Sequence, residues 1–170
     1  MIIPETITIL SIPFQMDKSV VEVEVKNVLA TSAGSAVFLG NDEKVFVIYV
    51  DHSVGSAINM FLHGTPKPRP QTHDLFGDVL IALGARVERI VINDFADTVY
   101  FARLIIVAEN EIQERKIIEI DARPSDSIAL AVAADAPIFV AKHVWEAVED
   151  MSIVLKKMED NGEGSDFPGA

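Results

Sequence analysis

Residues 116–134 read KIIEIDARPSDSIALAVAA, and this stretch decides the fold that the sequence predicts. Its first part is an apolar run typical of a strand, and its second part is an Ala/Leu-rich run typical of a helix. Between the two runs, Asp121, Arg123, Ser125 and Asp126 bring two carboxylates, a guanidinium and a hydroxyl within six residues. Free amides and a partial positive charge at a helix N-terminus favour anions. The stretch therefore predicts a strand-to-helix junction suited to anion binding or acid–base chemistry.

A second polar cluster, Arg69-Pro-Gln-Thr-His-Asp-Leu75, stands at the start of another helical pattern. Thr72 is a favoured residue at the beginning of a helix. His73 and Asp74 follow it, and an imidazole is the commonest general acid or base in proteins. The two clusters together are the only constellation in the sequence that predicts chemistry.

Hydrophobic periodicity around these clusters predicts an α+β fold. Residues 19–30 alternate apolar and charged side chains, as a strand with one solvated face does. Turns are expected at 40–43, 93–97 and 109–114. The further strands are predicted at 36–39, 45–50, 87–92, 98–107, 116–120 and 137–140, and the helices at 54–64, 72–84, 125–134 and 143–150. Strands joined by short turns predict a single domain with a mixed, mainly antiparallel sheet flanked by three to four helices.

Composition sets the domain count and the compartment that we expect. The 170 residues suit one domain, which we place at residues 1–152, followed by an acidic, disordered tail at 153–170. The chain has no cysteine, which fits a reducing compartment. Residues 1–5 lack the basic region of a secretory signal, and no apolar run reaches the roughly 18 residues of a membrane span. We therefore expect a soluble cytoplasmic protein without membrane contact.

The net charge of −12 argues against strong binding of polyanions, because nucleic-acid-binding proteins usually carry a basic surface. The charge is uneven, however. Residues 66–89 carry four basic and three acidic residues, whereas the segments on either side are acidic. This stretch contains the first polar cluster, so any contact with RNA or DNA is expected there, and it should be weak and salt-dependent.

The motifs Arg69–Leu75, Asp121–Asp126 and Ala136-Pro-Ile-Phe-Val140 resemble, in order and spacing, those of the bifunctional nuclease family. The resemblance covers about residues 20–145. It implies a compact α/β domain and a nuclease activity on both RNA and DNA, as plant members show. The segment Val50–Ala57 departs from the family pattern, because Asp51 and Val54 stand where members usually carry a glycine and a glutamate.

With this resemblance, the two clusters suggest a phosphodiesterase site. Arg123 and Arg69 would bind phosphate, with Thr72 and Ser125 as further substrate-binding residues. His73 would act as general acid or base. The carboxylates of Asp74, Asp121 and Asp126 would orient these groups or hold Mg²⁺, although no spacing in the sequence requires a metal.

The same residues also suit a non-enzymatic ligand-binding or assembly module. Arg123 would then form an ion pair with Asp121, Asp126 or Asp74, and a buried pair would make Arg123→Ala cost about 3–5 kcal/mol. Ser125 and Asp126 are favoured in a first helical turn, where Pro124 is the usual entry residue. His73 would anchor the proline-rich loop before it.

We also expect a homodimer or another homo-oligomer. The run of residues 98–107 is apolar on both faces towards its end, and an exposed apolar sheet face needs a partner. Two-fold self-association is the commonest solution. A monomer whose helices cover both sheet faces is the alternative.

Overall fold

The computed structural model describes residues 7–10, 19–109 and 115–160, with backbone alone for residues 7–10 and 159. The described strands are β1 Ile7–Leu10, β2 Val20–Ala30, β3 Ser35–Gly40, β4 Val45–Val50, β5 Ala85–Ala96, β6 Val99–Glu109, β7 Arg115–Ala122 and β8 Ile138–Ala141. The described helices are α1 His52–Leu62, α2 Thr72–Ala82, α3 Pro124–Ala133, α4 Lys142–Ala147 and α5 Ser152–Asp160.

The strands of the described residues form a sheet in the order β1-β7-β6-β5-β8-β2-β3-β4. Neighbouring strands are antiparallel except for β5 and β8, which run parallel. The expected α+β class with a mixed, mainly antiparallel sheet is therefore confirmed. The described part of the chain has five helices, where three to four were expected.

The main core lies between α1, α3, α4 and one face of the sheet. Ile58 of α1, Ile90 of β5 and Ile128 of α3 are completely buried there. The Phe46 ring of β4 lies 6.0 Å from the Tyr100 ring of β6, although these strands are far apart in the sheet order. The sheet therefore curls, and the curl brings the start of β4 towards the start of β6.

Helix α5 corrects part of the expected C-terminal tail. Residues 153–160 are helical, and Leu155 is buried in a second cluster with Phe38 of β3 and Val45 of β4. The Met151 amide donates to the Val45 carbonyl at 2.7 Å and fixes the entry to the helix. Burying this apolar surface outweighs the polar composition of the segment. Residues 161–170 lie outside the described residues, so the disorder predicted for that part of the tail stays a prediction.

The β5–β6 hairpin corrects the turn that we expected at residues 93–97. Strand β5 continues to Ala96, which pairs with Val99, so the turn consists of Asp97 and Thr98 alone. Both turn residues have positive φ, 50° and 66° respectively. A two-residue turn with two positive φ angles matches the twist of a hairpin, although a β-branched residue such as Thr98 rarely adopts that conformation. The other expected turn at 109–114 falls largely on residues outside the described part.

The exposed apolar surface is not where the sequence placed it. Ile105, Ile106 and Val107, at the end of the apolar run, are all buried within the chain. Helix α2 instead has no buried residue. Its exposed apolar side chains, together with that of the residue after it, are Leu75, Phe76, Val79, Ile81 and Leu83. Among the described residues, no helix has the length and apolar character to cross a bilayer.

Candidate functional site

The strand-to-helix junction after β7 forms as the sequence predicts. Arg123 caps α3 in an extended conformation, with φ −66° and ψ 140°, and Pro124 occupies the first helical position. Proline suits that position because its φ is already helical and its missing N–H has no partner to lose. Ser125 and Asp126 follow in the first turn. The junction thus holds Arg123 and Asp126 on a rigid helix start.

The structure joins the two polar clusters through the carboxylate of Asp126. Arg123 Nε donates to Asp126 Oδ2 at 2.8 Å, and His73 Nε2 lies 3.4 Å from Asp126 Oδ1. Arg123 Nη1 also lies 3.9 Å from Asp51 Oδ2. We call His73, Asp126, Arg123 and Asp51 the ionic chain. Its 3.4 Å step is at the outer limit of a hydrogen bond, whereas the 2.8 Å step is of ordinary length.

The ionic chain lies where three helices begin. Asp51 caps α1, His73 is in the first turn of α2, and Arg123 caps α3. Each helix start contributes partial positive charge and amides without partners inside the helix. The hydrogen bond and charge of Asp126, with a smaller contribution from Asp51, raise the pKa of Arg123. The site therefore combines a permanent cation with three helix N-termini.

Polar contacts among Lys67, Gln71 and Asp74, which we call the brace, hold the start of α2. Lys67 Nζ donates to both oxygens of Asp74 at 2.9 Å, and the Gln71 amide donates to Asp74 Oδ2 at 2.8 Å. Lys67 also lies 3.4 Å from the ring centroid of Phe61. Burial opposes ionisation of Asp74, but these hydrogen bonds and the charge of Lys67 hold its pKa below the ordinary value. Both carboxylate oxygens of Asp74 are thus occupied by hydrogen bonds of the brace.

Arg123 also borders a cleft of about 590 Å³, which we call the α3 cleft. Its volume lies within the range of about 300–1,000 Å³ that is usual for small-molecule sites. The walls come from the β2–β3 turn, the end of β4 with Asp51, the β5–β6 turn and the start of α3. Ser125 lies on the wall with Arg123, whereas His73, Asp74 and Asp126 are not among the residues that line the cleft.

Asp121, which the sequence grouped with the site, lies elsewhere. Asp121 pairs with Arg103 of β6, Nη1 to Oδ1 at 3.5 Å, and not with Arg123. Its neighbours Ile120 and Ala122 pack against the main core, so alternation along β7 turns Asp121 to the opposite sheet face. Arg69 and Thr72 are exposed, and no contact of the described residues ties either to the α3 cleft.

The three carboxylates considered as magnesium ligands do not form one ligand set. Asp74 binds Lys67, Asp121 pairs with Arg103, and Asp126 binds Arg123 and approaches His73. In the ranges 19–109 and 115–160, no three His, Asp or Glu side chains come together as metal ligands would. The residues present therefore do not fit the Mg²⁺ site that the sequence suggested.

Asp51 is the site residue that sequence reasoning missed. It lies on the α3 cleft and beside Arg123, yet it belongs to neither polar cluster. The signal was available, because Asp51 follows the apolar strand β4 and precedes a helical pattern, as Arg123 does after β7. It was noted only as a departure from the family pattern.

Fold and site together define an α+β domain with a cleft whose wall carries Arg123 at the start of α3. The chain matches the bifunctional nuclease domain over residues 37–152. This match covers more than half of the chain, so the chain belongs to the bifunctional nuclease domain family. The family predicted from the three motifs is confirmed, and the matched range contains the whole ionic chain.

Two curated relatives from Mycobacterium tuberculosis, in strains CDC 1551 and H37Rv, are similar to this chain. Each is 35% identical over 104 residues, which are 61% of this chain and 58% of the relative. The chain thus spans less than two thirds of the length of these relatives. Both are described as uncharacterized proteins, so they add no activity to the family assignment.

Proposed function

We propose that this protein is a nuclease that hydrolyses phosphodiester bonds of RNA and DNA at the α3 cleft. The observation that carries the proposal is the ionic chain, which connects a cleft-lining arginine to a histidine through one carboxylate. A cation on the cleft wall, beside the N-termini of α1 and α3, favours a phosphate. A histidine held by a carboxylate is a common arrangement for proton transfer.

The chemistry follows from acting on both nucleic acids. DNA has no 2′-hydroxyl, so the nucleophile for both substrates is a water molecule. The water oxygen attacks phosphorus while the bond to the leaving oxygen breaks. A proton of the water passes to a base, and the leaving oxygen takes up a proton from an acid or from solvent. His73 is the proposed base or acid, Asp126 orients the imidazole, and Arg123 stabilises the charge that develops on the phosphate oxygens.

The other predicted site residues have different roles in the proposed site. Ser125 lies on the cleft wall and is proposed to bind substrate with Arg123. Asp74 is a positioning residue, because its carboxylate holds the start of α2 and so the backbone of His73. Arg69 and Thr72 stay predictions for an outlying part of the substrate. Asp121 is not included in the proposed site.

The test uses purified protein with labelled single-stranded RNA and DNA, first with Mg²⁺ and then with EDTA. Arg123→Ala should lower the rate by about 100-fold or more, as loss of a charge-stabilising donor does. Arg103→Ala is the matched control, because it removes a comparably exposed ion pair on the other sheet face and should leave the rate unchanged. Unchanged rates in both Arg123→Ala and His73→Ala would show that the activity belongs to a contaminant.

One observation favours a second candidate, in which the cleft binds a ligand without hydrolysis. The His73 side chain is only 14% exposed and does not line the cleft. In that case the contact of His73 with Asp126 holds α2 against α3, and the cleft binds a small anion without hydrolysing it. The two candidates separate in His73→Ala, which would abolish hydrolysis under the first and leave ligand binding at Arg123 intact under the second.

We also propose a homodimer that pairs the exposed apolar surface of α2 and Leu83 with the same surface of a second copy. Asp78 is the only exposed Asp, Glu, Lys or Arg residue of α2, so this patch is nearly free of the charge that otherwise repels another copy of an acidic chain. A contiguous exposed apolar patch commonly marks an interface. A two-fold axis would bury the patch of both copies.

Sedimentation at micromolar concentration tests the dimer. The wild type should sediment at twice the mass of one chain, which is 18.6 kDa. Phe76→Glu should return it to one chain, whereas Ile153→Glu, at an exposed apolar residue of α5, should not. A wild-type mass near 18.6 kDa would refute the dimer.

The compartment that we propose is the cytoplasm. The support is the absence of cysteine from the sequence, which fits a reducing environment. Cell fractionation with a tagged chain would test it, and recovery in a membrane or secreted fraction would contradict it.

A further inference from the structure

The lining of the α3 cleft contains two unlike sets of side chains, which we call its polar end and its apolar end. Together they specify a ligand more closely than a phosphate alone would. One end carries Arg123, which is 66% exposed and therefore accessible from the cleft. The other end is formed by Tyr49 of β4, with Val99 and Tyr100 of β6. A ligand that satisfies both ends needs an anionic group and a flat apolar group.

The polar end suits one phosphate and not a run of phosphates. Arg123 uses Nε for Asp126, and its Nη1 is only loosely paired with Asp51 at 3.9 Å. The terminal fork of the guanidinium therefore remains available for one tetrahedral anion. Among the described residues that line the cleft, Arg123 is the only cation, and Asp51 and Asp126 beside it carry negative charge. A second phosphate would therefore meet repulsion without a cation of its own.

The apolar end presents side chains that a small domain usually hides. Tyr49 is 56% exposed and Val99 is 52% exposed, and both lie on the cleft. Burial raises the pKa of Tyr100 beside them, so its phenol is neutral and able to donate a hydrogen bond. An accessible tyrosine ring stacks on the face of any nucleobase, because every base offers a π-face.

We propose that the α3 cleft binds one unstacked nucleotide, with its phosphate at Arg123 and its base against Tyr49 and Val99. This nucleotide site deepens the proposed function and, for hydrolysis, rests on it. It identifies the substrate as a short or single-stranded piece of RNA or DNA. A base that is stacked and paired within a duplex has no free face to offer Tyr49.

The charge of the whole molecule leads to the same substrate class. With a net charge of −12, the protein gains little from a long row of phosphates and is repelled by most of them. A single nucleotide unit carries its recognition in the stacked base and needs only one cation. Binding should therefore depend less on salt than binding to a basic surface does.

Calorimetric titration with 5′-adenosine monophosphate, adenosine and ribose 5-phosphate tests the two ends separately. The monophosphate should bind best, and Tyr49→Ala should weaken it by roughly tenfold while leaving ribose 5-phosphate unchanged. Tyr49→Phe keeps the ring and should bind as the wild type does. Arg123→Ala should weaken the monophosphate and ribose 5-phosphate but not adenosine. Equal affinity for the monophosphate and ribose 5-phosphate, or an unaffected Tyr49→Ala, would overturn the inference.

Hydrolysis of a dinucleotide, a single-stranded 20-mer and the same 20-mer as a duplex supplies the second arm. The inference expects the dinucleotide and the single strand to be cleaved and the duplex to be spared, with Tyr49→Ala raising KM more than it lowers kcat. Arg123-dependent cleavage of the duplex at an equal rate overturns the inference but leaves the nuclease in place. Tyr49-dependent binding of the monophosphate without hydrolysis of any substrate overturns the nuclease and supports the nucleotide site.

Discussion

Helices α2 and α3 begin in the same way and are held in opposite ways. Each has an aspartate at its third position, Asp74 and Asp126, and each starts at the ionic chain. Six of the ten residues of α3 are buried, whereas none of the eleven residues of α2 is. Burial therefore holds α3 in place, whereas α2 is held mainly by the polar contacts of its own first turn.

The difference determines how each half of the candidate site is positioned. Arg123 and Asp126 stand on a helix whose place the core determines, so their geometry survives changes at the surface. His73 stands on a helix held by Lys67, Asp74 and its own contact with Asp126. The proposed phosphate-binding end should thus be rigid, and the proposed acid–base end should be sensitive to single polar changes.

The largest expected effect is in the core of α3. Ile128 is fully buried, and Ile128→Ala should lower the free energy of unfolding by about 2–5 kcal/mol through lost burial and a cavity. Leu75→Ala in α2 is the matched control, because that side chain is 58% exposed and should change stability by less than about 1 kcal/mol in the monomer. Urea denaturation measures both. Equal losses would mean that α2 is buried as firmly as α3.

The next effect has opposite signs in two helices. A Cβ on Gly55 of α1 would lie 2.3 Å from Cβ of Ser35, so Gly55→Ala should cost about 1–3 kcal/mol. A Cβ on Gly77 of α2 meets nothing within 4 Å, so Gly77→Ala should stabilise by about 0.5–1 kcal/mol. Thermal melts decide the signs. Destabilisation by Gly77→Ala would show that α2 is covered on that side.

Local patterns were enough to predict most elements. The alternation along β2 and the helical spacing of α1 and α3 identified their positions because those faces meet the core directly. The spacing of α2 also identified a helix, although none of its residues is buried. Helix α5 was missed because its composition is polar, and its cover over β3 and β4 is a tertiary contact. The short strand β1 was missed as well, since its pairing with β7 follows no local signal.

The candidate site shows where local reasoning stops. The Arg123 junction was predicted, because a proline and an aspartate mark a helix start wherever it lies. That His73 reaches Asp126, 53 residues away, depends on how α2 packs beside α3. Asp121 was grouped with the site by proximity in sequence, although strand alternation from Ile120 and Ala122 already assigned it to the other face.

A smaller effect concerns the brace of α2 and depends on pH. The pKa of Asp74 is lowered in the folded chain because the hydrogen bonds from Lys67 and Gln71 outweigh its burial. Its stabilising contribution is therefore complete above the unfolded pKa of about 3.9 and is lost as pH falls through the lower folded value. Lys67→Met should cost about 1 kcal/mol at pH 7.

Urea denaturation of wild type and Lys67→Met at neutral and strongly acidic pH measures this linkage. The difference between the two proteins should shrink as pH falls below about 4 and disappear below the lowered pKa of Asp74, where this carboxyl is protonated in both. Lys116→Met is a suitable control, because Lys116 is exposed on β7 away from the brace. A difference that stays constant with pH would contradict the assignment of the effect to Asp74.

The smallest expected effect is also the one that separates the two functional readings. A buried ion pair at Arg123 would have made Arg123→Ala strongly destabilising, by about 3–5 kcal/mol. The side chains of Arg123 and Asp126 are 66% and 34% exposed, and exposed pairs contribute about 0.2–1 kcal/mol. Arg123→Ala should therefore unfold within about 1 kcal/mol of wild type, and the difference should fall further at high ionic strength. Arg103→Ala breaks another partly exposed pair, with Asp121, and should behave alike in urea, while differing from Arg123→Ala in ligand binding. A loss of several kcal/mol confined to Arg123→Ala would instead identify Arg123 as a structural staple and favour the non-enzymatic module.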